Sequence, residues 1–525
     1  MTGRQHRPSV ALAPASKADR RARVAVLLVT LAMLTAELVA ILVTTRGRFT
    51  YSLDDPYIHL SLARTIAHGH YGLDATHPSS PSSSPLWPFL MAITARTPVA
   101  TFVPLVWNWL ATLGSATLLY AAFRQKCAPV AAAVLGCVAV LGLNLVGVAY
   151  TGMEHSLQVF LALAVATGVV RCWSDPSRGL PWWFLAALVV GPLVRYEMAA
   201  VSTAAVVALW AHRPLRRGLL AASAGWAASL GAFSAFLVWL GLSPLPSSVL
   251  AKSPYAKGAS PWQVLIDKLE LVGTHPCVVA VVAVVALDLL VRRRWIALHS
   301  FVAIVMGGHL AAGEFGWYGR YELYALAAVV PPITRLAADW QPAPELVARV
   351  ARGLVLGLVA LALVPYAHVT LETPKSSEGI AQQQGQTAEF VRDHWQRPVA
   401  VNDIGEVAWV GGQPVLDLWG LADQEARERR LAGGDWVGGL VARRHVALAV
   451  LSTRWFGQKL PSTWVRVGAL VADVIVTNNS HAVDVYVTDP VGDPESVTAA
   501  CAALRSFADD AAQGTRVELA GPCAA

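Results

Sequence analysis

The chain has 525 residues, of which 55% are hydrophobic and only 14% are charged, and its formal net charge is +7. Charged residues make up about a quarter of an ordinary soluble domain, so the composition excludes a string of soluble domains, a disordered chain and a coiled coil. It is typical of a polytopic membrane protein. Because cytoplasmic loops of such proteins collect basic residues, the positive charge is no evidence for nucleic acid, and no nucleic-acid partner is expected.

The first predicted elements are a basic tail, residues 1–23, and an apolar segment from Val24 to about Thr44 that only Glu37 interrupts. The segment is longer than the core of a cleaved signal peptide and can cross a hydrocarbon layer of about 30 Å. We therefore interpret it as a retained first transmembrane helix, which follows a cytoplasmic N-terminal tail.

Further apolar segments follow, which brings the predicted number of transmembrane helices to about 11 in a membrane domain at residues 24–370. The segments lie near residues 24–44, 100–123, 128–150, 156–170, 180–194, 198–211, 219–241, 272–291, 295–313, 321–334 and 353–370. With the N-terminus in the cytoplasm, the inner loops hold 19 basic residues and the outer loops nine, which agrees with the positive-inside rule. An odd number of spans places the end of the chain outside.

Composition changes after residue 370, which predicts a C-terminal extracytoplasmic α/β domain at residues 371–525 on an otherwise mostly α protein. Short β-branched runs at 398–401, 446–451, 474–477 and 483–487 predict strands, and residues 495–512 have a helical pattern. Cys501 and Cys523 lie in this domain, where a disulfide is permitted.

The first outer loop, residues 45–85, contains Asp54-Asp55-Pro56, which predicts a helix start with Asp55 as the cap and Pro56 in the first turn. One capping aspartate is enough, and a second like charge at the membrane edge is unfavourable unless a cation or substrate compensates it. Capping alone remains the other interpretation. An apolar stripe then predicts a helix that lies along the membrane surface, and it consists of Tyr57, Ile58, Leu62 and Ile66.

Other predicted outer loops carry acidic and basic side chains, which are Glu154, Arg195, Glu197, Lys252 and Arg320. Each has a structural alternative: Arg195 and Glu197 as an ion pair, Lys252 as a snorkelling side chain, and Trp317 with Tyr318 near Arg320 as an aromatic belt. Their collection at one membrane face favours an outward-facing pocket. There, a carboxylate could accept a hydroxyl proton, and cations could hold the phosphate of a lipid-linked sugar.

These motifs resemble those of the GT-C superfamily of integral-membrane glycosyltransferases, and most closely its bacterial and mycobacterial arabinofuranosyltransferase-like branch. The resemblance rests on Asp54-Asp55-Pro56-Tyr57, Ser83-Ser84-Pro85-Leu86-Trp87, Gly152-Met153-Glu154, Arg195-Tyr196-Glu197, Pro246 to Lys252, Gly319-Arg320-Tyr321, and a later segment from Asp403 to Leu421. Two positions depart from the family pattern, since Tyr196 replaces a proline and Ser247-Ser248 replace Asn-Thr.

The resemblance implies inverting transfer of a sugar from a polyprenyl-phosphate donor to a hydroxyl of a cell-envelope glycan or lipid acceptor. It implies an acidic base in the first outer loop, with Asp54 favoured, Asp55 as cap and second carboxylate, and the choice between them open. The remaining candidate site residues are Arg195, Lys252 and Arg320 for the donor phosphate, and Tyr57, His59, Glu154 and Glu197 for the sugar or acceptor. Membrane lipid is a further expected partner, and the expected location is the bacterial inner membrane.

No metal site is assigned, although some GT-C relatives use a divalent metal and the first outer loop holds four histidines. His59, His68, His70 and His77 fit no strong metal-ligand spacing. The main rival function is a transporter or flippase of a lipid-linked or polar substrate, and another is a non-catalytic scaffold. The charged motifs at one face, rather than mid-span, favour the glycosyltransferase over both.

Overall fold

A computed structural model of the chain describes residues 16–74, 77–255, 258–272, 278–279, 296–338, 345–478 and 480–524. Helices coincide with the predicted apolar segments, except that segment 272–291 lies almost wholly outside the described residues. In chain order the helices of this part are Lys17–Thr44, Asp55–Ala67, Trp87–Ala92, Val103–Phe123, Pro129–Gly142, Leu145–Ala149, His155–Ser174, Trp182–Val194, Met198–Leu209, Arg216–Trp239, Ser247–Lys252, Pro261–Val272, Ile296–Ala312, Leu323–Ala338 and Glu345–Ile380.

Four helical segments of the described chain are long and apolar enough to cross a membrane, and they begin at Lys17, Ala100, His155 and Arg213. The segment from His155 to Ser174 is the central one, since 78% of its apolar window is buried inside the protein. Shorter apolar helices pack around it. A membrane location follows from these helices, whereas the count of eleven spans stays a prediction.

The helix Asp55–Ala67, here called the loop helix, is wedged between the membrane part and the C-terminal part. Its residues from Pro56 to Ala63 are all buried. Tyr57 packs in the core of the membrane part, whereas Ile58 belongs to the core of the C-terminal domain, and Leu62 packs against Phe233 and Leu237. The apolar stripe therefore packs against protein on several sides, and the position of the helix along the membrane surface stays a prediction.

The C-terminal domain is built on one six-stranded sheet in the order β2-β1-β3-β5-β4-β6. The strands are β1 Val399–Val401, β2 Val415–Asp417, β3 Leu448–Leu451, β4 Val465–Ala472, β5 Ala482–Val487 and β6 Thr515–Leu519. Strands β2, β1 and β3 are parallel, and the remaining neighbours are antiparallel. The helical turn Gln386–Glu389 precedes β1, and the helices between the strands are Gly405–Val410, Gln424–Ala432, Val437–Arg443, Thr453–Phe456 and the longer Pro494–Asp510.

Three of the predicted strands and the C-terminal helix are present, whereas the strand predicted at 474–477 is wrong. The chain forms β4 just before it instead, and β4 carries a register irregularity between Arg466 and Gly468 that breaks its alternation. Residues 474–477 form a loop, in which the Thr477 hydroxyl donates to the carbonyl oxygen of Ser52 at 2.8 Å. Cys501 and Cys523 form a disulfide, with Cα atoms 5.0 Å apart.

The predicted domain boundary at 370/371 falls inside the helix Glu345–Ile380. The chain continues from this helix through further helical turns to Trp395 before it enters β1. The C-terminal domain is also held by side chains, because Arg48 pairs with Glu389 and with Glu406, the latter at 3.2 Å. The first outer loop therefore packs against the C-terminal domain.

Candidate functional site

An open cavity of about 170 Å³ lies where the first outer loop meets the C-terminal domain, and we call it the interdomain pocket. The membrane part contributes the loop residues Asp54 and Asp55, and it adds Lys252, Trp317 and Tyr321 from later outer segments. The C-terminal domain contributes the opposite wall, which includes Gln384, Asn402, Asp403, Trp419 and Trp455. Predicted site residues from distant parts of the sequence therefore meet at one pocket.

The carboxylate of Asp54 is bound by backbone amides of the C-terminal domain. Its Oδ2 accepts from the nitrogen of Gly405 at 2.6 Å and its Oδ1 accepts from the nitrogen of Glu406 at 2.8 Å. These amides are the first of the helix Gly405–Val410, so Asp54 caps a helix that is remote in sequence. A side chain at Gly405 would clash, since its Cβ would lie 2.1 Å from the carbonyl oxygen of Asp54.

The carboxylate of Asp55 points to a different partner, Arg320. Its Oδ2 lies 2.7 Å from Nη2 of Arg320. The prediction that Asp55 caps its own helix is wrong, because Asp55 is the first helical residue and no side chain caps that helix. Burial opposes ionisation of Asp55, but the charges of Arg320 and Lys252 outweigh it and lower its pKa to about 2. Asp55 is therefore an anion at the pocket.

Arg320 is buried, with 1% of its surface exposed, and only part of its guanidinium is used. Nη2 donates to Asp55 and to the hydroxyl of Tyr321, at 2.7 and 3.1 Å. Nε and Nη1 have no hydrogen-bond partner among the described residues. Since an unpaired buried donor is unfavourable, these two groups are suited to an anionic ligand.

A left-handed turn holds Arg320 and its neighbours in place. Gly316, Trp317, Tyr318 and Gly319 all have positive φ, with values of 72°, 42°, 70° and 55°. Such a conformation is unfavourable for the two aromatic residues and persists only where contacts enforce it. The Asn144 side chain donates to the carbonyl of Tyr318 at 3.1 Å, and the Tyr318 hydroxyl donates to Thr373 at 2.6 Å.

Lys252 ends the short helix Ser247–Lys252, and the C-terminal domain fixes this segment. Arg427 donates to the hydroxyl of Ser247 at 2.8 Å, and the nitrogen of Ser247 donates to Ser80 at 3.0 Å. Arg430 donates to the carbonyl of Ala251 at 3.4 Å. The exposed Lys252 side chain is thereby held at the pocket that contains Asp55 and Tyr321.

Arg195 is the centre of a separate buried group of ions, here called the arginine cluster. It binds Glu197 through two nitrogens, one of them at 3.1 Å, and it binds Glu154 at 3.0 Å and Ser83 at 3.1 Å. His59 Nε2 lies 3.7 Å from the second oxygen of Glu154. Two carboxylates thus neutralise Arg195, which agrees with the structural interpretation of Arg195 and Glu197 as an ion pair. Its side chain does not line the interdomain pocket.

Tyr321 connects the arginine cluster to the interdomain pocket. Its ring lies 4.9 Å from the guanidinium carbon of Arg320 and 5.9 Å from that of Arg195. Tyr57, by contrast, is buried in the membrane part, where its hydroxyl accepts from the nitrogen of Tyr51 at 3.2 Å. Tyr57 and His59 therefore lie behind the pocket rather than on its wall.

Sequence reasoning did not select the pocket residues of the C-terminal domain as site residues, among them Gln384, Asn402, Asp403, Trp419 and Trp455. Asp403 and Trp419 lie in the segment that resembles GT-C enzymes, so that segment carried the only local signal. Burial raises the pKa of Asp403 to about 6, and the nearby charges of Asp55 and Asp417 act in the same direction. Asp403 is thus a third carboxyl group at the pocket, besides Asp54 and Asp55.

No three His, Cys, Asp or Glu side chains of the described ranges are grouped closely enough to hold a metal ion. His68, His70 and His77 lie in or beside the loop after the loop helix, and His59 lies in the arginine cluster.

Comparisons with known proteins give a partial match and two distant likenesses. Residues 378–487 match a family described as a domain of unknown function (DUF8728). No curated protein matches the sequence. Among solved structures, the chain is similar to the apo oligosaccharyltransferase of Archaeoglobus fulgidus, at 13% identity and a TM-score of 0.42, over 84% of this chain and 73% of that chain.

A second structure of this archaeal oligosaccharyltransferase, in complex with an inhibitory peptide and a dolichol-phosphate, is similar at 13% identity and a TM-score of 0.41. It covers 81% of this chain and 69% of that chain. Likenesses at this level assign neither an activity nor a ligand to the present chain. The function is therefore argued from the pocket itself.

Proposed function

We propose that the protein is a membrane glycosyltransferase of GT-C type, which moves a sugar from a polyprenyl-phosphate donor to a hydroxyl of a cell-envelope acceptor on the outer side of the membrane. The observation that carries the proposal is the pair formed by Asp55, which lines the pocket, and Arg320, which is buried behind it, 2.7 Å apart, with two further Arg320 donors unpaired among the described residues. A carboxylate and an anion-binding group are then adjacent, beside helices that can cross a membrane.

The proposed phosphate site consists of Arg320 and Lys252. Negative charge develops on the departing phosphate as the glycosidic bond breaks, and cations already in place stabilise it. Arg320 binds Asp55 through Nη2, which leaves Nε or Nη1 as a donor to the phosphate, so the two contacts do not compete. Arg195 is a weaker candidate, because Glu154 and Glu197 already occupy its donors.

Asp55 is the proposed base, in place of the Asp54 favoured by the sequence. Both aspartates line the pocket, but both oxygens of Asp54 are bound by backbone amides, whereas Asp55 is an anion paired with Arg320. Glycosyl transfer passes through a transition state with oxocarbenium character, in which the attacking hydroxyl becomes acidic as its bond to the sugar forms. A weak carboxylate base is then sufficient, and attack opposite the leaving phosphate inverts the anomeric carbon.

A direct test uses the full chain, purified and reconstituted in proteoliposomes. Polyprenyl phosphates that each carry one radiolabelled sugar are supplied in turn, together with a membrane-glycan extract as acceptor. Transfer of label from at least one donor, abolished in Asp55→Asn, is the expected result. Absence of transfer from every donor, with normal binding of polyprenyl phosphate, would contradict the proposed activity.

A further inference from the structure

The two walls of the interdomain pocket differ in chemistry. The membrane side presents Asp54, Asp55 and Lys252 beside the rings of Trp317 and Tyr321. The C-terminal side presents the indole rings of Trp419 and Trp455 with the single carboxyl group of Asp403. The centroids of these rings are 4.6 Å apart with an angle of 58° between their planes, and both side chains are partly exposed.

Contacts within the C-terminal domain hold Trp419 in position without a ligand. The guanidinium of Arg430 stacks 4.1 Å from the centre of its ring. Asp417 accepts from the backbone nitrogens of Trp419, Gly420 and Ala422, at 2.8, 3.0 and 2.6 Å, and so fixes the loop after β2. A preorganised aromatic surface of this kind binds flat apolar faces at low entropic cost.

Two buried amide side chains on the same wall have unused polar atoms. Asn402 is 3% exposed, and its Oδ1 accepts from the nitrogen of Ser452 at 2.8 Å, whereas its Nδ2 has no partner among the described residues. Gln384 is 4% exposed, and its Nε2 donates to Asp403 at 3.2 Å, whereas its Oε1 likewise has no partner within the described ranges. The wall thus offers one neutral donor and one neutral acceptor beside the aromatic rings.

We propose that this wall, formed by Trp419, Trp455, Asn402 and Gln384, binds a sugar ring of the acceptor. A sugar has an apolar C–H face that stacks on indole and hydroxyl groups that both donate and accept hydrogen bonds, so it satisfies the rings and the two amides together. The inference rests on the proposed function and narrows its acceptor to a carbohydrate. A hydroxyl of the bound ring would then lie in the same pocket as the carboxylates of Asp55 and Asp403.

The inference is tested by saturation-transfer NMR on the full chain in lipid nanodiscs. The probes are methyl glycosides of the common pentoses and hexoses, and a short peptide that contains Ser, Thr and Asn. The variants are Trp455→Leu and Trp419→Leu, with Trp455→Phe as the conservative change. Trp262→Leu is the matched control, because Trp262 is 69% exposed and does not line the pocket.

The expected result is transfer to the ring protons of at least one glycoside, and a rise of its Kd by about fivefold or more in both Leu variants. Trp455→Phe keeps most of the binding, and Trp262→Leu keeps all of it. Equal binding in wild type and both Leu variants, or binding of the peptide with no glycoside bound, would overturn the inference.

The same variants separate this inference from the proposed activity. If glycoside binding depends on Trp419 and Trp455 but the protein transfers no sugar, the sugar-binding wall is supported and the proposed activity is contradicted. Sugar transfer that is unaffected by both Leu variants would retain the activity and contradict the subsite.

Discussion

Oδ2 of Asp54 lies 2.6 Å from the backbone nitrogen of Gly405, while the next residue along the chain, Asp55, binds Arg320. Two adjacent and identical side chains thus have different surroundings. Asp54 joins the first outer loop to the C-terminal domain, and Asp55 stays at the pocket. Their roles can therefore be separated by mutation.

Asp55→Asn is expected to lower the rate of sugar transfer by about 10²–10⁴-fold, because the amide cannot accept the hydroxyl proton. Asp54→Asn keeps one acceptor for the helix amides, and we expect it to cost about 0.5–2 kcal/mol of stability with a transfer rate within about tenfold of wild type. Transfer assays and thermal unfolding of the two purified variants check both values. A larger loss of rate in Asp54→Asn than in Asp55→Asn would assign the base to Asp54.

Arg320→Lys and Lys252→Ala are expected to raise the KM for the polyprenyl-phosphate donor, by roughly 10-fold or more, with a smaller change for the acceptor. Lysine at position 320 keeps the charge but loses the planar fork that serves Asp55 and the phosphate together. The control is Lys459→Ala, an exposed residue outside the pocket lining. An unchanged donor KM in both variants would contradict the assignment of Arg320 and Lys252 to phosphate binding.

Arg195→Met is expected to lower the free energy of unfolding by about 3–5 kcal/mol, because it leaves Glu154 and Glu197 buried without their cation. Arg178→Met removes an exposed ion pair with Asp175 and should cost no more than about 1 kcal/mol. Chemical unfolding in detergent measures both. If Arg195→Met had wild-type stability and a weakened affinity for the donor, Arg195 would be assigned to phosphate binding instead of a structural role.

Stability is expected to fall as the pH rises, through the titration of Glu406. Burial raises the pKa of this carboxyl from its ordinary value of 4.5 to about 7. The folded state therefore binds this proton more tightly than the unfolded state, and the stabilisation is complete below about pH 4.5 and lost as the pH rises through about 7. Thermal unfolding across this range should show a smaller pH dependence for Glu406→Gln than for wild type. Identical pH profiles would contradict the assignment.

Local patterns were sufficient to predict much of the fold. Runs of apolar residues mark the helices of the membrane part, and β-branched runs mark β1, β3 and β5, because both signals depend only on nearby residues. The Asp-Pro pair marks the start of the loop helix to within one residue. The prediction from local patterns failed at β4. The cause is again local, because the register irregularity at Gly468 interrupts the alternation of inward and outward side chains along the strand.

The composition of the pocket could be predicted only in part. Acidic and basic residues at one membrane face pointed to Asp55, Lys252 and Arg320, which the fold does bring together. The distinction between Asp54 and Asp55 depends on amides of the C-terminal domain, and no local pattern contains them. Trp419 and Trp455 were missed for the same reason, because their pocket position depends on how the sheet loops meet the first outer loop.

Asp54 and the amide it binds at Gly405 are 351 positions apart in the chain. During synthesis the first outer loop emerges early, whereas its capping partner is made only after the whole membrane part. Ile58 and the carboxylate of Asp54 therefore remain uncovered until the C-terminal domain has been made and folded. A chain that stops before Gly405 lacks one wall of the interdomain pocket and cannot complete it.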